Sequence, residues 1–224
     1  DLLALEGSSY DLNINMFNHF QNTITGWPGG KPGADDSTRP ERKSPNSKRV
    51  IIFSPHPDDD VVSMGGTFDR LVSQGHEVHI AYQVKGNIAV SDHDALKFIE
   101  VSKDMFKNDS KVPVSELIKE LKNNKPDKID SQAVRDLKGF IRKREAIAAT
   151  RYIGIPDSNT HFMNLPFYDT GRIKKNPPTK KDVLITASLI KKIKPHQIFA
   201  AGDLEDPHGT HKVCLDVVLD ALDT

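Results

Sequence analysis

From residue 49 onward, short continuous apolar runs alternate with longer segments in which apolar residues recur at helical spacing. The short runs predict buried strands at 50–54, 77–84, 161–165 and 197–201. The longer segments predict helices over 61–73, 92–106, 130–152, 181–193 and 208–222. Strands alternating with helices are typical of a parallel sheet with right-handed crossovers. We therefore predict an α/β fold, Rossmann-like, with three α/β/α layers and a mostly parallel sheet.

The pattern differs before residue 49. Residues 25–48 are rich in glycine, proline and charged side chains, which predicts a linker or extended arm. Residues 1–24 then form the C-terminal end of a preceding region, and 49–224 form the main domain. Its lysine-rich stretch at 111–128, which holds two prolines, is interpreted as a mobile or capping insertion. The chain stops within an apolar-periodic segment, so we expect a piece of a longer protein whose C-terminal end is incomplete.

Composition narrows the class of partner without naming one. Lys plus Arg and Asp plus Glu both number 31, so no overall field favours nucleic acid or an anionic membrane. The single cysteine, Cys214, excludes an internal disulfide framework and a cysteine-built metal site. The sequence shows no pattern of a signal peptide or membrane span. We expect a cytoplasmic protein, and composition leaves its partner open.

A dense polar cluster follows the first predicted strand. The run Ser54-Pro55-His56-Pro57-Asp58-Asp59-Asp60 places one histidine and three carboxylates together. These carboxylates repel one another unless a cation or the amides of a helix N-terminus face them, so a metal site is the first hypothesis. The simpler alternative is that Asp58 or Asp59 caps the following helix.

A second polar cluster follows the last predicted strand. His208 and His211 stand three residues apart where a helix is expected to begin, so both can lie on one face. The carboxyl ends of parallel strands meet at one edge of a sheet, which brings the two clusters together. One aspartate, His56 and one of these histidines give three ligands and leave a fourth position open, as in catalytic zinc sites.

These motifs resemble a known family. His56-Pro57-Asp58-Asp59 with Gly66-Thr67, followed much later by His208-x-x-His211, is similar to the zinc-dependent N-acetylglucosaminyl deacetylases of the LmbE-like/PIG-L family. The resemblance covers about residues 49–220. It implies zinc as the cofactor, with iron(II) as the alternative cation, and an N-acetylated amino sugar as the substrate. It implies His56, Asp59 and His211 as metal ligands, Asp58 as general base, and His208 as the residue that stabilises or protonates the tetrahedral intermediate.

The resemblance extends to two further residues and one departure. Arg142, in the run Ile141-Arg142-Lys143-Arg144-Glu145, matches the family's R-x-x-E helix and is implied as a substrate-binding residue. Its simpler interpretation is a solvated helix residue paired with Glu145. Asp169 occupies about the place of the family's sugar-binding aspartate. Asp60 stands where the family often has glutamate, and its role is left open.

The segment Tyr10–Pro32 resembles the junction of bacterial proteins that join a glucosamine-6-phosphate deaminase-like domain to a deacetylase-like domain. We therefore expect such a fusion, and a homo-oligomer is compatible with it. One alternative function is a Mg²⁺-dependent phosphohydrolase that uses Asp58 and Asp60 as a D-x-D pair, although it leaves three histidines unused. The other is a sugar-binding module that keeps the fold but lacks turnover.

Overall fold

A four-stranded parallel sheet organises the main part of the chain. The computed structural model describes residues 7–23, 47–106, 114–124, 128–172, 174–202, 205 and 209–224. The strands are β1 (Arg49–Ser54), β2 (Glu77–Tyr82), β3 (Thr160–Phe162) and β4 (Gln197–Ala200). They lie in the order β3-β2-β1-β4, and every neighbouring pair is parallel. The fold is therefore α/β, as the alternating pattern predicted.

Helices precede, separate and follow these strands, and five of those described lie close to the predicted positions. They are α1 (Ser9–Thr23), α2 (Asp59–Ser73), α3 (Asp92–Phe106), α4 (Val114–Lys122), α5 (Gln132–Ile153), α6 (Lys180–Ile193) and α7 (Thr210–Leu222). Single turns of 3₁₀ helix occur at Asn87–Ala89, Asp157–Asn159 and Pro166–Tyr168. Helix α1 lies within the segment that we assigned to a preceding region. Of the predicted linker at 25–48, residues 25–46 lie outside the described residues.

Both faces of the sheet are buried. Val50 and Ile52 of β1 pack with Phe68 of α2 and Ala146 of α5 on one face. The alternate residues of β1 pack on the other face, against Ile193 of α6 and Val218 of α7. Successive side chains of a strand point to opposite faces, so the continuous apolar run of β1 is what a sheet covered on both sides requires. The three-layer, Rossmann-like arrangement is confirmed.

Helix α4 lies inside the stretch at 111–128 that the sequence analysis interpreted as an insertion. Its Leu117 and Leu121 are four residues apart and both buried, within an apolar cluster that includes Ile99 of α3 and Val134 of α5. This one-sided burial stabilises a short helix despite its lysines. The stretch therefore includes a packed helix, which the prolines and lysines around it concealed. Residues 107–113 and 125–127 lie outside the described residues.

The strand order places a topological switch between β1 and β4. From β1 the chain proceeds outward to β2 and β3, and then returns to the other side of β1 for β4. In open α/β sheets, ligands bind beyond the carboxyl ends of the strands at such a switch. A ligand site is therefore expected among the residues that follow β1 and β4. No α-helix within the described ranges has the length and apolarity needed to cross a bilayer.

Candidate metal and substrate site

The loop after β1 is held in a defined position by the neighbouring strand. Backbone hydrogen bonds from Gln83 N to Ser54 O (2.9 Å) and from Val84 N to Pro55 O (3.0 Å) continue the β1–β2 pairing past the end of β2. The side chain of Gln83 is buried and donates to the carbonyl of Cys214 in α7 (2.9 Å). These bonds fix the loop that carries His56 against the helix that carries His211.

Three side chains converge at this edge of the sheet. The Nδ1 atom of His56 lies 3.2 Å from Oδ2 of Asp59 and 3.2 Å from Nε2 of His211. The third side of the triangle, from His211 Nε2 to Asp59 Oδ2, is 3.3 Å. These residues form a group whose ligand atoms are close enough to hold one metal ion. His56 follows β1, Asp59 lies in the first turn of α2, and His211 lies in the first turn of α7.

The triangle fits a small divalent cation. Ligand atoms 2.0–2.1 Å from a tetrahedral ion lie about 3.3–3.4 Å from one another, which agrees with the three observed separations. Two imidazole nitrogens and one carboxylate oxygen form a donor set that suits zinc or iron(II) better than Mg²⁺. Burial acts to raise the pKa of Asp59, but hydrogen bonds from His56 and the charges of both histidines outweigh it and lower that pKa. Asp59 is thus held in the ionised form that a metal ligand needs.

Asp58 occupies a different environment from its neighbour. It stands at the N-cap position of α2, yet its side chain makes no capping hydrogen bond. Its Oδ1 atom instead lies 2.9 Å from Nη2 of Arg142, a side chain that is only 14% exposed. The capping interpretation of the cluster therefore does not describe Asp58. Nor does Asp59 cap the helix, since its Oδ2 accepts the backbone N–H of His56 (2.8 Å).

Arg142 contacts two carboxylates, that of Glu145 on its own helix and that of Asp58. It lies on α5 and pairs with Glu145 three residues later, with 3.4 Å between Nη1 and Oε2. The same guanidinium reaches Asp58 beside the metal ligands. Because Asp58 is about half exposed, this ion pair is worth little as a source of stability. Its consequence is positional, since it fixes the direction of a carboxylate next to the three converging side chains.

Asp60 turns inward and supports the loop. It is buried, accepts a hydrogen bond from Tyr82 Oη (2.8 Å) and donates its backbone N–H to Ser54 Oγ (3.0 Å). The Ser54 hydroxyl in turn donates to the carbonyl of His56 (2.6 Å). Burial raises the pKa of Asp60, and hydrogen bonds from Tyr82 and Ser54 oppose that rise only in part. The residue whose role the sequence left open is thus part of a buried network under His56.

We expect Asp60→Ala to destabilise the fold. Removing the carboxylate leaves the buried Tyr82 hydroxyl without its partner, a loss of about 1–3 kcal/mol in the free energy of unfolding. Urea denaturation measures this, with Asp69→Ala on the exposed side of the same helix as the matched control. The control should fall within about 0.5 kcal/mol of wild type. Equal effects of the two substitutions would show that the Asp60 network is not structural.

A cavity of about 470 Å³ opens over the converging side chains. Its lining residues are His56, Asp58, Asp59, Gly86, Ile88, Ala89, Arg142, Tyr168, Lys175, Thr210 and His211. A volume in this range accommodates a small organic ligand. The cavity is therefore lined by the potential metal ligands, by the ion pair of Asp58 with Arg142, and by several apolar side chains.

At Gly86, the cavity lining requires a residue without a side chain. Gly86 has a φ of +63°, and a Cβ there would lie 2.8 Å from Cδ of Pro57 and 3.5 Å from Nε of Arg142. Only glycine adopts this backbone region readily and also leaves that space. The loop after β2 can therefore pass close to both the metal-side loop and the arginine.

Tyr168 and Lys175 line the cavity, although the sequence analysis did not select them. The Tyr168 ring meets the His56 ring edge to face, with centroids 6.0 Å apart. Lys175 Nζ lies 3.7 Å from the Tyr168 ring centroid. The available signal was position: both follow β3, at the same edge of the sheet as His56. The buried Asp182 anchors this segment to α6 by accepting the backbone N–H of Phe167 (3.1 Å).

The predicted roles of Asp169 and His208 stay predictions. Asp169 is not among the residues that line it; its carboxylate lies 3.7 Å from Lys85 Nζ and 3.7 Å from Arg135 Nε. Its predicted sugar contact stays a prediction. His208 lies outside the described residues, so its predicted role also stays a prediction. The side chain of Cys214 is fully buried, as expected for a small core residue.

Comparison with known proteins agrees with this geometry. The sequence model of the PIG-L family, described as GlcNAc-PI de-N-acetylase, matches residues 51–222. A curated glucosamine-6-phosphate deaminase-like protein of Bacteroides thetaiotaomicron is 54% identical over 230 aligned residues. The match covers 100% of this chain and 35% of that relative, so the chain spans about a third of the relative's length.

Proposed function

The chain belongs to the PIG-L family, a family of de-N-acetylases, and on that basis we propose that it hydrolyses the N-acetyl amide of an N-acetylglucosamine-type amino sugar with one bound divalent metal ion. The observation that carries the proposal is the triangle of His56 Nδ1, Asp59 Oδ2 and His211 Nε2, with sides of 3.2, 3.2 and 3.3 Å. Zinc is the proposed metal and iron(II) the alternative. When bound, such an ion acts as a Lewis acid that makes water more acidic and polarises an amide carbonyl.

Asp58 is the proposed general base. Its carboxylate lies in the cavity beside the ligand triangle, and Arg142 fixes its orientation through a 2.9 Å contact. A carboxylate placed in this way can accept the proton of an attacking water molecule. The resulting carboxylic acid, or an imidazole, can then donate a proton to the departing amine. His208 is the proposed imidazole, from the family resemblance.

Arg142 is proposed to contact the substrate as well as to position Asp58. Its guanidinium lines the cavity and carries more donors than the contacts to Asp58 and Glu145 use. Sugar hydroxyls and carbonyl oxygens are suitable acceptors for those donors. Asp169 is retained as a proposed sugar contact only on the resemblance, since it lies outside the cavity lining.

The two alternatives receive less support. A Mg²⁺-dependent phosphohydrolase needs Asp58 and Asp60 to present oxygens to one ion. In the structure Asp58 turns to Arg142, whereas Asp60 is buried against Tyr82, so the two carboxylates serve different partners. A silent sugar-binding module would retain the cavity, but it gives no reason for a carboxylate to be positioned beside the ligand triangle.

The domain arrangement is also a proposal. The similar protein from Bacteroides thetaiotaomicron is described as glucosamine-6-phosphate deaminase-like and is almost three times as long as the match. We propose that residues 49–224 form the deacetylase unit, that 25–48 form a connecting arm, and that 1–24 end a preceding deaminase-like region. The cytoplasmic location and a homo-oligomeric state remain predictions.

Acetate release tests the proposed activity. We expect the zinc-loaded chain to release one acetate per free amine formed from N-acetylglucosamine or its derivatives, measured by coupled acetate assay and amine labelling. Phosphate release from sugar phosphates without acetate release would favour the phosphohydrolase. Binding of the same sugars without either product would favour the silent module and would contradict the proposal.

A further inference from the structure

We propose that Lys175 binds an anionic group, a phosphate ester or a carboxylate, on the amino-sugar substrate and so sets a preference for charged over neutral substrates. This inference rests on the proposed deacetylase function and names the substrate class for the same cavity. It concerns a residue that neither the sequence motifs nor the family resemblance singled out.

The position of Lys175 is the first argument. Its ammonium stands over the Tyr168 ring at 3.7 Å, and the same ring meets His56 with centroids 6.0 Å apart. Lys175 and His56 therefore contact the same aromatic ring, and all three side chains line one cavity. An acetamido group at the metal end of the cavity would leave a substituent on the far side of the sugar near Lys175.

The charges around the cavity are the second argument. Its lining includes two cations, Arg142 and Lys175, and two carboxylates. Arg142 is paired with Asp58 at 2.9 Å, and Asp59 faces the two histidines. Among the described residues, none offers Lys175 a carboxylate at ion-pair distance. With a divalent ion bound, the cavity carries excess positive charge, which favours an anionic ligand.

The hydrogen bonding of the ammonium is the third argument. Lys175 Nζ donates to the carbonyl of Arg172 (2.6 Å), which uses one of its three donors. Burial lowers the pKa of Lys175 to about 8, and the charge of Asp169 opposes this shift only in part. A half-buried cation with spare donors and little compensating charge gains from an anion that occupies the cavity beside it.

Substrate preference of a neutral variant tests the inference. Lys175→Met removes the charge but keeps an unbranched side chain over the Tyr168 ring, and Lys174→Met, at the exposed neighbouring position, is the matched control. Acetate release is measured with N-acetylglucosamine, its 1-phosphate, its 6-phosphate and N-acetylmuramic acid, which carries a carboxylate. The readout is the ratio of kcat/KM for each anionic sugar to that for the neutral one.

We expect the wild-type chain to prefer at least one anionic sugar by about tenfold or more, a typical effect of one charge-assisted contact. Lys175→Met should lose most of that ratio, mainly through KM, and Lys174→Met should retain it. The preferred sugar distinguishes a phosphate at either position from a carboxylate. A wild-type preference for neutral sugar, or an unchanged ratio in Lys175→Met, would overturn the inference and leave the deacetylase function standing.

Failure of the proposed function gives a different result. If the wild-type chain releases no acetate from any of the four sugars, calorimetric titration of the zinc-loaded chain with the same sugars replaces the kinetic ratio. Tighter binding of an anionic sugar to wild type than to Lys175→Met would still support the anion site. Equal binding by both proteins would overturn it.

Discussion

Replacing Asp58 with asparagine is expected to lower the rate of acetate release by about 10²-fold or more, the usual consequence of losing a general base. Asparagine preserves the size of the side chain and places an amide where the carboxylate contacts Arg142, but it cannot take a proton at neutral pH. Because Asp58 is not a member of the ligand triangle, the metal content of the variant should equal that of wild type. Single-turnover acetate assays and elemental analysis measure the two quantities.

The control for this substitution is Asp69→Asn, an exposed carboxylate on the same helix. It should change neither the rate nor the metal content. Acetate release by Asp58→Asn within a few-fold of wild type would show that another group accepts the proton. A loss of metal in that variant would instead place Asp58 among the ligands.

Replacing His211 with alanine is expected to remove most of the bound metal and, with it, the activity. His211 Nε2 is one corner of the ligand triangle, 3.2 Å from His56 Nδ1 and 3.3 Å from Asp59 Oδ2. Loss of a supporting residue behind a ligand typically costs about 10–100-fold in metal affinity, and loss of the ligand itself should cost more. Metal content after dialysis against a weak chelator is the measurement.

The neighbouring histidine should behave differently. His208→Ala is expected to lower the rate while it retains the metal, since His208 is the proposed proton donor. His93→Ala, at an exposed position outside the site, should affect neither quantity. Full metal occupancy in both His211→Ala and His208→Ala would exclude the proposed ligand set.

The sequence predicted the sheet and the meeting of the two histidine-bearing segments for one reason. In a parallel sheet all carboxyl ends lie at one edge, so residues after β1 and β4 converge even though His56 and His211 are 155 positions apart. The apolar runs of the strands were legible because both faces of the sheet are buried. The convergence is thus a property of topology, which alternation of strands and helices already indicates.

The positions of several site side chains depend on tertiary contacts that no local sequence pattern indicates. Asp60 is buried against the hydroxyl of Tyr82, a residue that the β1–β2 register places beside Ser54. Lys175 lies between β3 and α6, outside any helix or strand, so no hydrophobic periodicity indicates where its side chain lies. The contact of Arg142 with Asp58 depends on how α5 packs beside the loop after β1, which the sequence of α5 alone does not indicate.

One divalent ion held by His56, Asp59 and His211 is the feature on which the proposed activity depends most. Acetate release by metal-depleted chain during stepwise addition of zinc is therefore the most direct measurement. Activity should be absent after depletion and rise to a plateau at one zinc per chain, and His211→Ala should show no such plateau under the same conditions. Undiminished acetate release by the metal-depleted chain would contradict a metal-dependent deacetylase at this site.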